Sequence, residues 1–166
     1  MSIEAVLAAT GVSRGALYHH FAGKEALFEA AYEAMEADLM RRTTAATVAV
    51  TSAAEGLRVG CDAFLDLVQE DPVRQIVLID APSVLGWEKW REIDERYGFG
   101  LLKSALSAAS AGGSLPADLI DSYAHILMAA LTEVAMLTAR ADDRPAAAAL
   151  GKRSIRLLLA RLLESR

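Results

Sequence analysis

From Ile3 to Leu163 the apolar residues of this chain recur three and four positions apart, and no segment alternates apolar and polar as a half-buried strand must. That period restricts the fold to the all-α class. Alanine, roughly a fifth of the residues, adds the best helix former to the pattern, and aromatic residues are only 6%. The punctuation gives the element order. Ser2 caps a short helix that Gly11 ends, and Ser13 caps a second running to about Phe21. After Ala22-Gly23 a long helix starts near Lys24 and reaches the 43–51 region. Further helices follow at about 53–70, from Asp71-Pro72 to a break before Ala81-Pro82, at 85–110, at 117–141 and at 144–165. Ala111 to Pro116, with two glycines and a proline, is the clearest loop.

At 166 residues, 54% of them hydrophobic and 23% charged, the chain buries a real core and is not disordered. A net charge of -5 excludes a protein that coats nucleic acid with its whole surface, though not one with a local basic site. Cys61 is the single cysteine and cannot form an internal disulfide, and the first residues lack the basic start and apolar run of a secretory signal. Cytoplasmic residence is the expectation. The longest apolar stretch, Tyr123 to Ala139, falls short of the roughly 20 residues of a membrane span and predicts a buried helix instead.

The informative stretch is Ile3 to Lys24. Two short helices that cross steeply need a residue tolerant of positive φ at the turn, an apolar residue behind it and a cap for the second helix. Gly11, Val12 and Ser13 supply these in order. Leu17 and Phe21, four apart, face inward, which leaves Arg14, Gly15, Ala16, Tyr18, His19 and His20 largely outward. A solvated helix seldom presents a tyrosine and two histidines to water. A helix entering the major groove uses such a set, small residues for close approach and hydrogen-bonding groups for bases and phosphates. Ser13 to Lys24 contains no acid, so this face is locally positive although residues 1–44 together carry more acids than bases.

Gly11-Val12-Ser13-x-Gly15-x-x-Tyr18-x-His20-Phe21-x-x-Lys24-x-x-Leu27 resembles the helix-turn-helix signature of the TetR/AcrR family of one-component transcriptional repressors, over about Ser2 to Tyr32. The resemblance implies a DNA-binding domain at 1–45 and an effector-binding and dimerisation domain at 46–166. By it Arg14, Gly15, Ala16 and His19 meet base edges, with Ser13 capping the recognition helix. Tyr18 and His20 meet phosphates with Ser2 near the backbone, and Lys24 binds phosphate from the next helix. Family members carry a helix ahead of the Ser2 position that is absent from this chain. Its absence should expose part of Val6, Leu7, Leu17 and Phe21, each worth about 1.5 to 3 kcal/mol when buried. The expectation is a shortened chain. The alternative is a helical dimerising or ligand-sequestering protein that has lost DNA binding with that helix.

The last two helices, 117–141 and 144–165, carry apolar residues on more than one face, including Leu131, Ile155, Leu158 and Leu159, and predict a homodimer interface, as the resemblance also implies. The positive charge of the last helix fits partners such as Asp118, Asp121 and Glu133 better than nucleic acid. Trp87, Trp90, Asp94 and Tyr97 follow helical spacing in an otherwise aromatic-poor chain. With Cys61, Phe64, His125 and Met128 they are candidates to line a pocket for a small apolar or aromatic effector, or else form plain core. His19, His20 and His125 offer no pair at ligand spacing on one helical face, Cys61 has no partner, and Gly98-Phe99-Gly100 follows no strand. Neither an enzyme, a metal site nor a cofactor is expected.

Overall fold

The computed structural model describes residues 3–111 and 114–164; over these the chain is all helical, without a strand. Ser2, the Gly112-Gly113 turn and the end of the last predicted helix at Ser165 lie outside the described residues. The elements are α1 (Ile3–Thr10), α2 (Arg14–His20), α3 (Lys24–Thr47), α4 (Ala53–Leu67), α5 (Asp71–Val73), α6 (Ala81–Leu85), α7 (Trp87–Asp94), α8 (Gly100–Ala109), α9 (Ile120–Arg140) and α10 (Arg144–Leu163). Side-chain caps begin three of them where short polar residues precede the apolar period. Ser13 accepts from the Ala16 N–H, Ser52 from that of Glu55 and Asp143 from that of Ala146.

The predicted break before Ala81-Pro82 is absent. Helical backbone continues from Asp71 to Leu85, and the chain turns instead at Gly86, at φ 78°. Widened turns over Arg74–Asp80 make this continuation possible. There the Ala81 N–H donates to the Ile76 carbonyl, five residues back, so Pro82 enters the first turn of α6, where its missing N–H leaves no ladder bond open. A second widened stretch, Glu95–Phe99, joins α7 to α8, so the single helix expected over 85–110 starts after Gly86 and changes its winding midway.

The core lies where α3, α4, α8 and α9 meet, with α10 against α4 and α9. Tyr32, Leu39, Val68, Trp90, Ile93, Leu106 and Leu127 are fully enclosed. Trp90 donates its indole N–H to the Val77 carbonyl at 3.0 Å and accepts at its own carbonyl from the Tyr32 hydroxyl at 3.5 Å. These two bonds join α3, the Arg74–Asp80 turns and α7 within apolar surroundings. From Tyr32 onward α3 therefore belongs to the larger core, while its first turn adjoins the N-terminal unit.

Helix α9 is long and apolar enough to cross a membrane by composition, yet Ala124, Leu127, Leu131 and Ala135 are buried inside the protein, as in a core helix. The positive charge of α10 meets acids of α4 rather than those proposed on or beside α9. Arg156 bonds Asp62 at 2.9 Å, and Lys152 pairs with Asp66. The reason is placement: α10 packs along α4, which presents its acids at four-residue spacing.

Gly151 sets how closely α9 and α10 approach. A β-carbon there would lie 2.4 Å from Val134 Cγ1, and valine has little rotamer freedom on a helix to move away. Gly151→Ala gains about 1 kcal/mol of helix propensity but should lose about 1 to 3 kcal/mol to overpacking. The expected result is a lower midpoint in thermal unfolding, restored when Val134→Ala is added. A Gly151→Ala protein more stable than the parent would show that the two helices separate freely.

Candidate functional site

The N-terminal unit is built around its turn. Gly11 adopts φ 69°, a conformation that a side chain would strain, and Thr10 closes the end of α1 by donating to the Val6 carbonyl at 2.8 Å. Val12 N–H reaches back to the Thr10 hydroxyl at 3.4 Å, and Ser13 then starts α2. Leu17 is the one residue of α2 that is buried, at 5% exposure, while Val6, Leu7 and Phe21 are half-buried. Arg14, Gly15, Ala16, Tyr18, His19 and His20 all stand in solvent, so the structure brings the proposed contact residues onto one exposed surface, with Lys24 also exposed at the start of α3.

That surface has its own internal order. Arg14 pairs with Glu4 of α1 at 2.5 Å and lies 6.0 Å from the centre of the Tyr18 ring, and the rings of His19 and His20 meet edge to face at 5.2 Å. An exposed pair of this kind is worth about 0 to 1 kcal/mol, so the guanidinium can exchange Glu4 for another acceptor at little cost. Gly15 is more telling. Nothing lies within 4 Å of the position its β-carbon would occupy, and its φ is not positive, so the fold has no need of glycine there. It costs about 1 kcal/mol against alanine in a helix and leaves the α2 backbone open to close approach from outside.

A second feature is a cavity of about 290 Å3 between α3, α4, α8 and α9 and the Glu95–Phe99 turns. Leu57, Phe64, Leu101, Leu102, Met128 and Leu131 give it apolar walls. Cys61, Thr43, Thr132 and Asp94 add polar atoms. Of the proposed effector residues, Cys61, Phe64, Asp94 and Met128 come together on this lining. Trp90 is locked in the core, Trp87 is exposed and rests on Trp90 at 4.7 Å between ring centres, and Tyr97 packs against the core; none of the three borders the cavity. His125 faces outward, its ring stacked 4.1 Å from that of Phe99. The helical spacing from Trp87 to Tyr97 marks core at Trp90 and Tyr97, surface at Trp87 and the cavity at Asp94. The threonines of α3 and small residues of α4 that complete the lining, such as Gly56 and Gly60, carried no signal of their own, because a cavity is a property of facing helices.

Behind the cavity Asp94 approaches a buried pair, Tyr32 and Glu36. Burial, and then the Asp94 charge, push the Glu36 carboxyl up to about 8, with the Tyr32 hydroxyl pulling the other way. Burial likewise raises Asp94 to about 6 against the opposing pull of Arg91, and raises the Cys61 thiol to about 12, which leaves it unreactive. Oxygens of Glu36, Asp94 and Thr43 are buried without a hydrogen-bond partner.

The native state therefore holds a proton on Glu36 that the unfolded chain releases above its ordinary value of 4.5. This contribution is complete below that pH and is lost as pH rises through about 8, with a slope of about 1.4 kcal/mol per pH unit for one proton. The unfolding midpoint should fall between pH 5 and about 8, and Glu36→Gln should flatten that fall. Parallel profiles for the two proteins in calorimetry would remove Glu36 as its source.

The outer surfaces of α9 and α10 carry Ile126, Leu137, Leu150, Leu157 and Leu158 in solvent, whereas Leu131, Ile155 and Leu159 of the predicted stripes face inward. Ile126 and Leu137 stand three helical turns apart on one face, and Leu150 and Leu157 two turns apart on another.

Comparison with known proteins matches residues 1–31 to the family described as bacterial regulatory proteins, tetR family, and residues 54–162 to the tetracyclin repressor-like C-terminal domain. Six chains of solved structures match. One is a crystal structure of a TetR-family transcriptional regulator from Pectobacterium atrosepticum, 28% identical, aligned over 100% of this chain and 86% of that one, with a TM-score of 0.83. No curated protein matches.

Proposed function

The chain belongs to the TetR family of DNA-binding transcriptional regulators, and we propose that it is a repressor that leaves its operator when a small, largely apolar effector fills the cavity. The carrying observation is the face of α2, where polar and aromatic groups stand in solvent around a glycine for which the fold has no use. Arg14 and His19 read base edges beside the small Gly15 and Ala16, and Tyr18, His20 and Lys24 hold phosphates. Ser13 fixes the start of the reading helix, and Ser2 is proposed at the backbone. Four of the eight proposed effector residues line the cavity, Cys61, Phe64, Asp94 and Met128, and these carry the proposal for the ligand site.

Release requires that the effector bind unequally to two arrangements of the protein. Helix α3 supports this coupling, since Thr43 and Met40 border the cavity while Lys24 begins the same helix beside the reading unit. The working unit is proposed to be a cytoplasmic homodimer through 117–141 and 144–165, in which the exposed leucines and Ile126 of α9 and α10 meet their symmetry mates.

On operator DNA, Arg14→Ala should cost about 1 to 3 kcal/mol and relax preference at one base position, whereas Lys24→Ala should weaken all sequences alike and lower the salt slope by about one per half-site. Gly15→Ala should stabilise the fold by about 0.5 to 1 kcal/mol and yet weaken operator binding. Tight binding indifferent to all three substitutions in fluorescence anisotropy would exclude α2 as the reading element.

For the dimer, Leu157→Glu should yield a folded monomer in sedimentation at micromolar concentration. Leu131→Glu, which puts a charge in the core, should unfold the chain instead. An unchanged dimer in the Leu157→Glu protein would place the interface elsewhere.

A further inference from the structure

The cavity presents an electrical problem that the protein leaves unsolved. Its walls are apolar over Leu57, Phe64, Leu101, Leu102 and Met128, and Asp94 is the one charged residue on the described lining. Asp94 Oδ2 is shielded from solvent and makes no hydrogen bond, and neither does the hydroxyl of Thr43, a cavity residue 7% exposed. No lysine, arginine or histidine lines the space. The groups packed around Asp94 from α3, the protonated Glu36 and the neutral Tyr32, bring no counter-charge, and Glu95 on its own helical run adds like charge. Arg91, the nearby cation, is engaged by Glu95 at 3.0 Å. A buried carboxylate oxygen without a donor is costly, as is a buried hydroxyl without a partner, and beside an apolar cavity both are met by a ligand that brings donors.

We infer that the ligand of this cavity is an organic cation: a compact amphiphile whose protonated amine sits between Asp94 and Thr43 and whose apolar body lies on Leu57, Phe64 and Met128. This rests on the reading of the cavity as the effector site. A neutral ligand leaves the Asp94 charge without a counterion in the cavity, and an anion is repelled by Asp94. An ammonium donates up to three hydrogen bonds and supplies the charge, and the volume, near the lower end of ordinary small-molecule sites, limits the body to a single ring or a short chain.

Three probes with one body and three heads test this: 4-phenylbutylammonium, 4-phenylbutanol and 4-phenylbutanoate, titrated by calorimetry at about pH 7.5, where Asp94 is ionised. The ammonium should bind about tenfold or more tightly than the alcohol, as expected of a charge-assisted hydrogen bond, and the carboxylate should not bind. In Asp94→Asn that preference should vanish while the alcohol binds as before, and Thr43→Val should weaken the ammonium severalfold. Equal or better binding of the alcohol or the carboxylate, a preference that survives in Asp94→Asn, or no binding of any probe would each overturn the inference. Operator release measured alongside separates the two readings. A neutral probe that displaces DNA ends the cation inference and leaves the effector site standing, whereas an Asp94-dependent cation that binds without changing DNA affinity keeps the ligand class and removes the effector role.

Discussion

The contact on which the rest of the molecule depends is the buried meeting of Tyr32, Trp90 and Val77. The indole N–H has one acceptor, the Val77 carbonyl, and the Tyr32 hydroxyl has the Trp90 carbonyl, so two of the largest enclosed side chains are fixed in orientation as well as in depth. Because Tyr32 is on α3 and Val77 lies in the widened turns, this contact decides that the helix leaving the N-terminal helix-turn-helix unit is built into the larger helical core. Held there from Tyr32 onward, α3 runs as one continuous helix from the N-terminal unit to the residues that border the cavity.

The same packing explains where the structure tolerates irregularity. Two stretches of widened helical winding flank α6 and α7, and one of them ends as Pro82 enters. On α7, which lies between the Gly86 turn and the second widened stretch, Trp90 and Ile93 point into the core while Asp94, the next residue round the helix, reaches the cavity. Asp94 there is a carboxylate set against an apolar wall.

Charge is divided along similar lines. Two cations of α10, Arg156 and Lys152, are held by Asp62 and Asp66 of α4, so they serve packing, while Leu150, Leu157 and Leu158 stand in solvent. At the opposite end α2 has no acid of its own, and its arginine is lent only to Glu4. Exposed polar groups thus gather on the face of α2, and the cavity residues Asp94 and Thr43 add buried oxygens without a hydrogen-bond partner.

Much of this was legible in the sequence because it is set locally. The end of α1 and the start of α2 followed from Gly11 as a left-handed turn and Ser13 as a cap, and the exposed set on α2 followed from the four-residue spacing of Leu17 and Phe21. These depend on backbone geometry within a few residues, which sequence order specifies directly. The break expected at Pro82 failed because a widened turn upstream, invisible to local propensity, removed the need for it. Whether Trp90 or Asp94 met the cavity, which acids held Arg156, and which leucines of α10 stayed outside were decided only when α3, α4, α8 and α9 packed together. A helical period says that a face is buried; only the neighbouring helices determine whether what it meets is a side chain, an empty space or another molecule.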